Sequence, residues 1–423
     1  MAVVKVVRIG EAAADRGAPA SVDHFLRPGV LSLPVLPPLS LYVHIPWCIR
    51  KCPYCDFNSH EHPAGLDAIP EAQYLEALRT DLEQALPLVW GRPVISVFIG
   101  GGTPSLFSAR GIERLLSDIR AMLPLQADCE ITLEANPGTF EAAKFAAFRS
   151  AGVNRLSIGI QSFAEEKLRA LGRVHDHRQA VAAAESAHAV FENFNLDLMY
   201  GLPGQSVDDL RADVENALRF DPPHLSLYQL TLEANTVFAK FPPPLPDEDS
   251  IAEMFEWIEG ATAGAGYQHY EVSAYARAER TCRHNLNYWT FGDYLGVGAG
   301  AHSKVSFPHR VIRQVRVKQP TSYLQSVGLH GAVAETVEVS RSELPFEFML
   351  NALRLNEGFQ TDLFAQRTGV PISQIDPVLA AAVKRGLISD RRGRVTPTDL
   401  GRRFLSDLQA MFLPSKAASK API

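Results

Sequence analysis

Three cysteines, Cys48, Cys52 and Cys55, stand in the run H-I-P-W-C-I-R-K-C-P-Y-C-D-F, directly after the short apolar stretch Leu39 to His44. The spacing C-x3-C-x2-C offers three thiolates from one tight loop, and no fourth cysteine follows nearby. A [4Fe–4S] electron carrier closes its cluster with four thiolates. Three leave one iron without a protein ligand, and that iron is free to bind a small molecule. A structural zinc site would need four ligands, commonly as C-x2-C pairs completed by a second pair or by histidines. His44 and His60 are the additions at hand, but C-x3-C-x2-C is not a usual zinc spacing. Five cysteines in 423 residues, sparse and odd in number, fit a reducing cytosol better than a disulfide framework. Asp56 follows Cys55, so the C-x-x-C-H of c-type haem attachment is missing. Cys129 and Cys282 read as small core residues.

An iron with a vacant position suits chelation by the amine and carboxylate of an amino acid. S-adenosylmethionine offers both beside its sulfonium, and one electron from a reduced cluster would cleave a carbon–sulfur bond to give a 5′-deoxyadenosyl radical. The cofactor owns that chemistry, and the protein supplies positioning and exclusion of water.

The elements that must hold such a site alternate. Short β-branched runs at Leu39–His44, Val94–Ile99, Glu130–Glu134, Arg155–Ile160, Asn195–Met199 and His224–Gln229 are separated by helical stretches near 70–88, 109–122, 139–150, 164–190 and 206–219. Such alternation implies right-handed crossovers and a parallel sheet, either a partial barrel or an open wound sheet. Chemistry in these folds gathers at the carboxyl ends of the strands. There the chain carries the cysteine loop, Gly100-Gly101-Gly102-Thr103-Pro104, Glu134-Ala135-Asn136-Pro137, Gly159-Ile160-Gln161-Ser162 and Asp197-Leu198-Met199-Tyr200-Gly201. Together they read as the surround of one ligand. Glu134 and Asp197 suit an ammonium or ribose hydroxyls, and Arg173 a carboxylate. The glycines would let the backbone approach the ligand closely.

The rest of the chain reads as appendages to that core. Residues 1–38, rich in Ala, Pro and Gly, read as a poorly ordered extension, and 39–304 as the core. Residues 305–341 form a connector, 342–413 a helical unit of winged-helix-like order, and 414–423 a tail. In that unit Phe346, Met349, Leu350 and Leu353 recur on one helical face. Hydrophobic content of 46%, charge content of 21% and a net charge of −6 describe an ordinary globular protein with no wholesale affinity for nucleic acid. No apolar run reaches the roughly 20 residues of a membrane span, and the N-terminus lacks a secretory h-region. A basic stretch over 384–403 includes Lys384, Arg385, Arg391, Arg392 and Arg394 and reads as a solvated face.

The tracts Y-V-H-I-P-W-C-I-R-K-C-P-Y-C, G-G-G-T-P-S, E-A-N-P, G-I-Q-S-F, L-G-R-V-H and D-L-M-Y-G-L-P-G-Q resemble the radical SAM superfamily, specifically its anaerobic coproporphyrinogen III oxidase branch. The resemblance covers about 39–412. It implies an α/β fold, a partial (β/α)6 barrel with the C-terminal winged-helix-like domain. It also implies a [4Fe–4S] cluster on Cys48, Cys52 and Cys55 with S-adenosylmethionine on the fourth iron. Cofactor contacts carried over tract by tract fall on Tyr42, Tyr54, Gly101, Gly102, Thr103, Glu134, Gln161, Arg173 and Asp197, with Thr231 and Gly300 aligning less closely. A second S-adenosylmethionine is known in that branch.

Departures point to one subfamily. The oxidase resembles C-x3-C-x2-C-x-C, whereas Phe57 stands at the last of those positions here, and 1–38 does not look like the oxidase's N-terminal segment. C-P-Y-C-D-F-N-S, H-N-L-N-Y-W and F-M-L-N-A-L-R-L look instead like the HemW subfamily of haem chaperones. That resemblance implies a cytoplasmic protein that binds haem and passes it to acceptor proteins, with an electron donor for its cluster. The alternative is an oxygen-independent coproporphyrinogen III oxidase. In H-N-L-N-Y-W, His284 is the leading axial-ligand candidate, with Tyr288 and Trp289 as stacking surfaces. Cys282 and His302 are secondary candidates.

Overall fold

The computed structural model describes residues 22–62, 64–65, 68–138, 144–391 and 393–414. Six parallel strands form its centre: β1 (Leu39–Ile45), β2 (Val94–Gly101), β3 (Leu125–Ala135), β4 (Arg155–Gln161), β5 (Phe194–Tyr200) and β6 (His224–Gln229). They pair in chain order, β1 to β6. Two short antiparallel strands, β7 (Gln268–Glu271) and β8 (Ala274–Ala276), continue the sheet beyond β6. At the other side β9 (Asp293–Val297) lies parallel to β1. Antiparallel β10 (His302–Phe307), β11 (Arg310–Arg316) and β12 (Val333–Glu338) follow it. Among the described residues the sheet is open from β12 to β7, its two edges unpaired with each other.

Buried parallel strands usually read as continuous apolar runs. These alternate. Leu41, Val43, Val97, Ile99, Leu133, Leu156, Ile158 and Leu196 point outward to the helices and form the main core. Ser40, Ser96, Thr132, Ser157, Asn195 and Ser226 point inward and are buried too. A polar inner face of this kind needs internal hydrogen bonds or a ligand to satisfy it.

The covering helices start where capping chemistry says they should. Asp176 with Gln179 and Ser206 with Asp209 form reciprocal capping boxes, and Ser108 caps the helix Ala109–Met122. The single helix expected over 164–190 is two, Glu165–Ala170 and His177–Val190. The break falls on Leu171-Gly172-Arg173-Val174-His175, and it is what swings Arg173 toward the cysteine loop. Of the helix expected over 139–150, Phe145–Ala151 is observed, and 139–143 lie outside the described residues.

Two expectations change. Within 22–38, read above as poorly ordered, Phe25, Leu31 and Leu33 are docked on the rest of the chain. Phe25 stacks on Phe307 with ring centroids 5.3 Å apart, and Leu31 and Leu33 are buried in the C-terminal core. The Leu33 amide donates to the Pro308 carbonyl at 2.9 Å, and the His309 ring lies 3.1 Å from the Leu31 carbonyl. Their order comes from docking on a distant surface, which composition does not report. Residues 1–21 lie outside the described residues. The connector over 305–341 likewise holds β11, the helix Pro320–Val327 and β12, because its strands pair with each other and with β10 rather than showing a period of their own.

The C-terminal unit runs helix Leu344–Ala352, strand Phe359–Gln360, helices Thr361–Thr368 and Asp376–Lys384, then the hairpin Ile388–Arg391 with Arg394–Pro397. The three strands form one small sheet, the winged-helix order expected. Arg403 reaches Glu256 at 3.2 Å and Arg402 meets Asp399 at 2.7 Å, so part of the basic stretch is paired; Arg392 and 415–423 lie outside the described residues. Leu33 sits in this unit's core, so Leu33→Ala is expected to lower unfolding stability by about 2–5 kcal/mol in denaturant titrations while leaving cluster assembly intact.

Candidate functional site

The inner face of the sheet opens at the carboxyl ends of its strands into a cavity of about 450 Å³, a size usual for small-molecule sites. Cys48, Cys52 and Cys55 all line it, together with Tyr54, Gly101, Gly102, Thr103, Glu134, Gln161, Arg173, Asp197 and Thr231. Twelve positions singled out from separate tracts thus meet at one place.

The cysteine loop is held from several sides. The Cys55 amide donates to the Cys52 carbonyl at 3.1 Å, and the His60 amide donates to the Pro46 carbonyl at 2.7 Å. Thr103 Oγ1 donates to Cys48 Sγ at 3.7 Å, and Ser59 Oγ lies 3.6 Å from Cys55 Sγ. Arg173 Nη1 donates to Cys52 Sγ at 3.7 Å, while Nη2 donates to Asn136 Oδ1 at 2.6 Å and to the Gly159 carbonyl at 2.7 Å. One guanidinium therefore ties β3 and β4 to the loop. Two of its nitrogens are already engaged.

The glycine tract answers to packing as well as to a ligand. A Cβ at Gly102 would meet the Trp47 carbonyl oxygen at 2.5 Å, and one at Gly101 (φ +118°) would meet the His44 ring at 2.6 Å. Gly102 N donates to the Ile45 carbonyl and Thr103 N to the Trp47 carbonyl, both at 2.7 Å. The end of β2 thus tucks beneath the start of the cysteine loop, which only bare backbone allows. At Gly100 a Cβ would crowd the Glu134 carboxylate at 2.9 Å.

Glu134 Oε2 accepts from the Gly101 amide at 3.0 Å. Burial, with Asp197 adding repulsion, pushes its carboxyl up to about 8. Asp197, also raised by burial, accepts from Asn195 Nδ2 at 2.7 Å and from Ser157 Oγ at 3.2 Å. Asn195 Oδ1 in turn meets the His224 ring at 2.7 Å, and His224 meets the Tyr270 hydroxyl at 2.8 Å. Two raised, buried carboxyls in one cavity suit a cationic ligand group, whose charge would let both ionise. Gln161 enters the cavity from a bulge in β4 with φ +67°, a conformation that costs a non-glycine residue about 1–2 kcal/mol and is kept where it aims a functional side chain.

Among the described residues no three histidine, cysteine or carboxylate side chains converge closely enough for a single metal ion. Ligands to a cubane bind three different irons and so stand farther apart than ligands to one ion. Three thiols on one cavity wall, with exposed Phe57 where a fourth would follow, match that donor set.

The other expected residues fall elsewhere. Tyr42 does not line the cavity; its hydroxyl lies 3.0 Å from His44 Nδ1 and its ring stacks toward Phe98 at 6.3 Å. Gly300 faces Asn58, and His302 is exposed on β10. His284, Tyr288 and Trp289 are brought together but not onto the cavity wall. The helix Arg283–Trp289 begins at Cys282, whose thiol donates to Glu130 at 3.6 Å, and Glu130 also accepts from the His284 amide at 3.2 Å. That anchoring turns the His284 ring inward, stacked on Phe98 at 4.8 Å, edge-on to Tyr288 at 4.9 Å, with Nδ1 3.1 Å from Ser96 Oγ. Burial lowers its pKa to about 3. Trp289 lies under the Arg354 guanidinium at 4.2 Å. From that helix it is Asn285 that reaches the cavity. The expected open haem surface is therefore a packed layer, because the helix phase buries the histidine. Arg155, Asn136, Ser157 and Asn195 also line the cavity; the one signal for Arg155 was a charge at the head of an apolar strand.

Residues 42–217 match the radical SAM superfamily model, and 339–404 match the HemN C-terminal domain model. The chain is 47% identical over 380 residues to "Heme chaperone HemW" of Escherichia coli, covering 89% of this chain and 99% of that protein. It is 34% identical to the protein of the same name from Bacillus subtilis, covering 88% and 99%. The solved structure of E. coli coproporphyrinogen III oxidase (HemN), described as a radical SAM enzyme, superposes with a TM-score of 0.75 at 25% identity, covering 89% of this chain and 90% of that one. No helix among the described residues is long and apolar enough to cross a membrane. A triple-cysteine loop over a polar barrel, joined to near full-length identity of this order, places the chain in the radical SAM superfamily and, within it, in the HemW family.

Proposed function

We propose that this protein binds haem and delivers it to acceptor proteins, and that its barrel carries a [4Fe–4S] cluster on Cys48, Cys52 and Cys55 with S-adenosylmethionine on the open iron. The observation that supports this most is the meeting of all three cysteines with Glu134, Asp197 and Arg173 in one cavity, in a chain whose relatives are named haem chaperones. Cys48, Cys52 and Cys55 would hold the cluster, which in its reduced form would supply one electron to a bound sulfonium. This chain's own residues hold the surroundings: Glu134 and Asp197 accept hydrogen bonds from the ligand's amine or hydroxyl groups, Gln161 and Thr103 line its path, and Arg173 braces the loop.

Haem coordination by His284 would require the helix Arg283–Trp289 to leave Phe98, since the ring is 2% exposed and its faces are covered. The oxidase reading draws on the likeness to HemN, but Phe57, 60% exposed at the cavity, puts a phenyl ring where that enzyme's pattern has a thiol. Anaerobically reconstituted protein is expected to bind haem in a Soret titration and to convert no coproporphyrinogen III. Protoporphyrinogen formation with reductant and S-adenosylmethionine would reverse the assignment, and absence of haem binding would remove it.

A further inference from the structure

Three arginines line the cavity, and they differ. Arg50 is exposed. Arg173 spends its terminal nitrogens on Asn136, Gly159 and Cys52. Arg155 is 2% exposed, its Nε is buried without a hydrogen-bond partner, and among the described residues nothing forms an ion pair with it. A guanidinium cannot shed its charge in a protein. Burying one unpaired is among the costliest arrangements a fold can keep.

The carboxylates nearby are engaged elsewhere. Glu130 accepts from the amides of Arg283 and His284, both at 3.2 Å, and from the Cys282 thiol. Asp197 is held by Asn195 and Ser157. Their field steadies the Arg155 charge without satisfying its donors.

Depth separates Arg155 from the cysteine loop. In the β3–β4 register Arg155 stands opposite Thr132, and Ser157 opposite Glu134. Two residues at about 3.3 Å each put the Arg155 backbone about 7 Å below the Glu134 level. The groups assigned to the ligand chelated at the cysteine loop, Glu134 and Asp197, stand nearer the mouth, and Arg173 is the guanidinium that touches that loop.

We propose that Arg155 is an anion anchor on the cavity floor, taking the carboxylate of a ligand other than the one chelated at the cysteine loop. Two sources share this chemistry: a propionate of the tetrapyrrole and the methionine carboxylate of a second S-adenosylmethionine. The assignment rests on the ligand reading of the preceding subsection.

The test uses full-length reconstituted protein, wild type, Arg155→Gln and Arg155→Lys, with iron and sulfide content as the check on folding. Haem and its dimethyl ester are titrated by Soret absorbance, and S-adenosylmethionine stoichiometry is read by equilibrium dialysis. A propionate source predicts that Arg155→Gln weakens haem by about tenfold or more, that the ester binds both proteins equally, and that Arg155→Lys recovers most of the affinity. A second S-adenosylmethionine predicts loss of the second equivalent in Arg155→Gln. Unchanged haem affinity together with unchanged stoichiometry overturns the anchor alone, and a wild type that binds neither ligand overturns the functional reading as well. If Arg155→Gln does not assemble a cluster, wild type decides: ester and free acid binding equally, with a single S-adenosylmethionine per chain, overturns the proposal.

Discussion

Cys52→Ala protein, reconstituted without oxygen from ferrous iron and sulfide, is expected to hold no cubane: its visible iron–sulfur absorbance and its acid-labile sulfide fall to background. Each thiolate would bind a different iron, so removing one exposes a second iron to solvent and takes away the constraint that distinguishes the open one. Cys52 is the sharpest choice because Arg173 donates to its sulfur while bracing β3 and β4. Cys129→Ala and Cys282→Ala provide the contrast. Both thiols are buried and neither lines the cavity. Those two variants are expected to load normally. Retained absorbance in Cys52→Ala, or stoichiometric zinc in place of iron, would break the assignment.

Glu134→Gln is expected to weaken S-adenosylmethionine by about tenfold to a hundredfold, the equivalent of about 1.5–3 kcal/mol for a hydrogen bond to a charged partner. The pH dependence gives a second signature. In the free protein the Glu134 carboxyl titrates at about 8, raised by burial and then by Asp197. An ionised carboxylate is the stronger acceptor for the ligand's amine or hydroxyl donors. Wild-type affinity should therefore climb as pH rises toward about 8 and level off above it, and Glu134→Gln should lose the climb. Stability runs the other way. An unfolded glutamate titrates near 4.3, so the stability Glu134 itself contributes is greatest below that value and is lost as pH rises to about 8. Ligand-free Glu134→Gln is accordingly expected to unfold at higher denaturant than wild type above pH 8. A flat wild-type affinity profile across this range would show that Glu134 does not accept from the ligand.

Much of the site was legible because its parts are local. The six strands announced themselves as short β-branched runs between helical stretches, and polar residues singled out at the ends of five of them line one cavity. The helix start at Ser206 was legible, whereas the one at Asp176 was not, because a single helix was expected over 164–190. Legibility failed where order depends on a partner far away in sequence. Leu31 and Leu33 look like linker residues until the Pro308–His309 turn accepts them, and β11 and β12 have little period of their own because they pair only with each other and β10.

His284 shows the same limit at the site. Its motif contains everything a haem ligand requires, and no local rule says which way a seven-residue helix will face. Glu130, more than 150 residues earlier in the chain, takes the first amides of that helix and so turns the imidazole onto Phe98.

The amino-acid sequence by itself determined the donor set, three thiols with no fourth, and the alternating elements that bring glycine, carboxylate and amide groups to one end of a parallel sheet. Both are properties of residue type and short spacing. Only the tertiary structure decided that Gly102 is bare because Trp47 lies against it, that Arg173 is spent as a brace, and that Arg155 is left alone on the cavity floor. Those are outcomes of long-range packing, where a side chain's role depends on which of its possible partners the fold has already engaged.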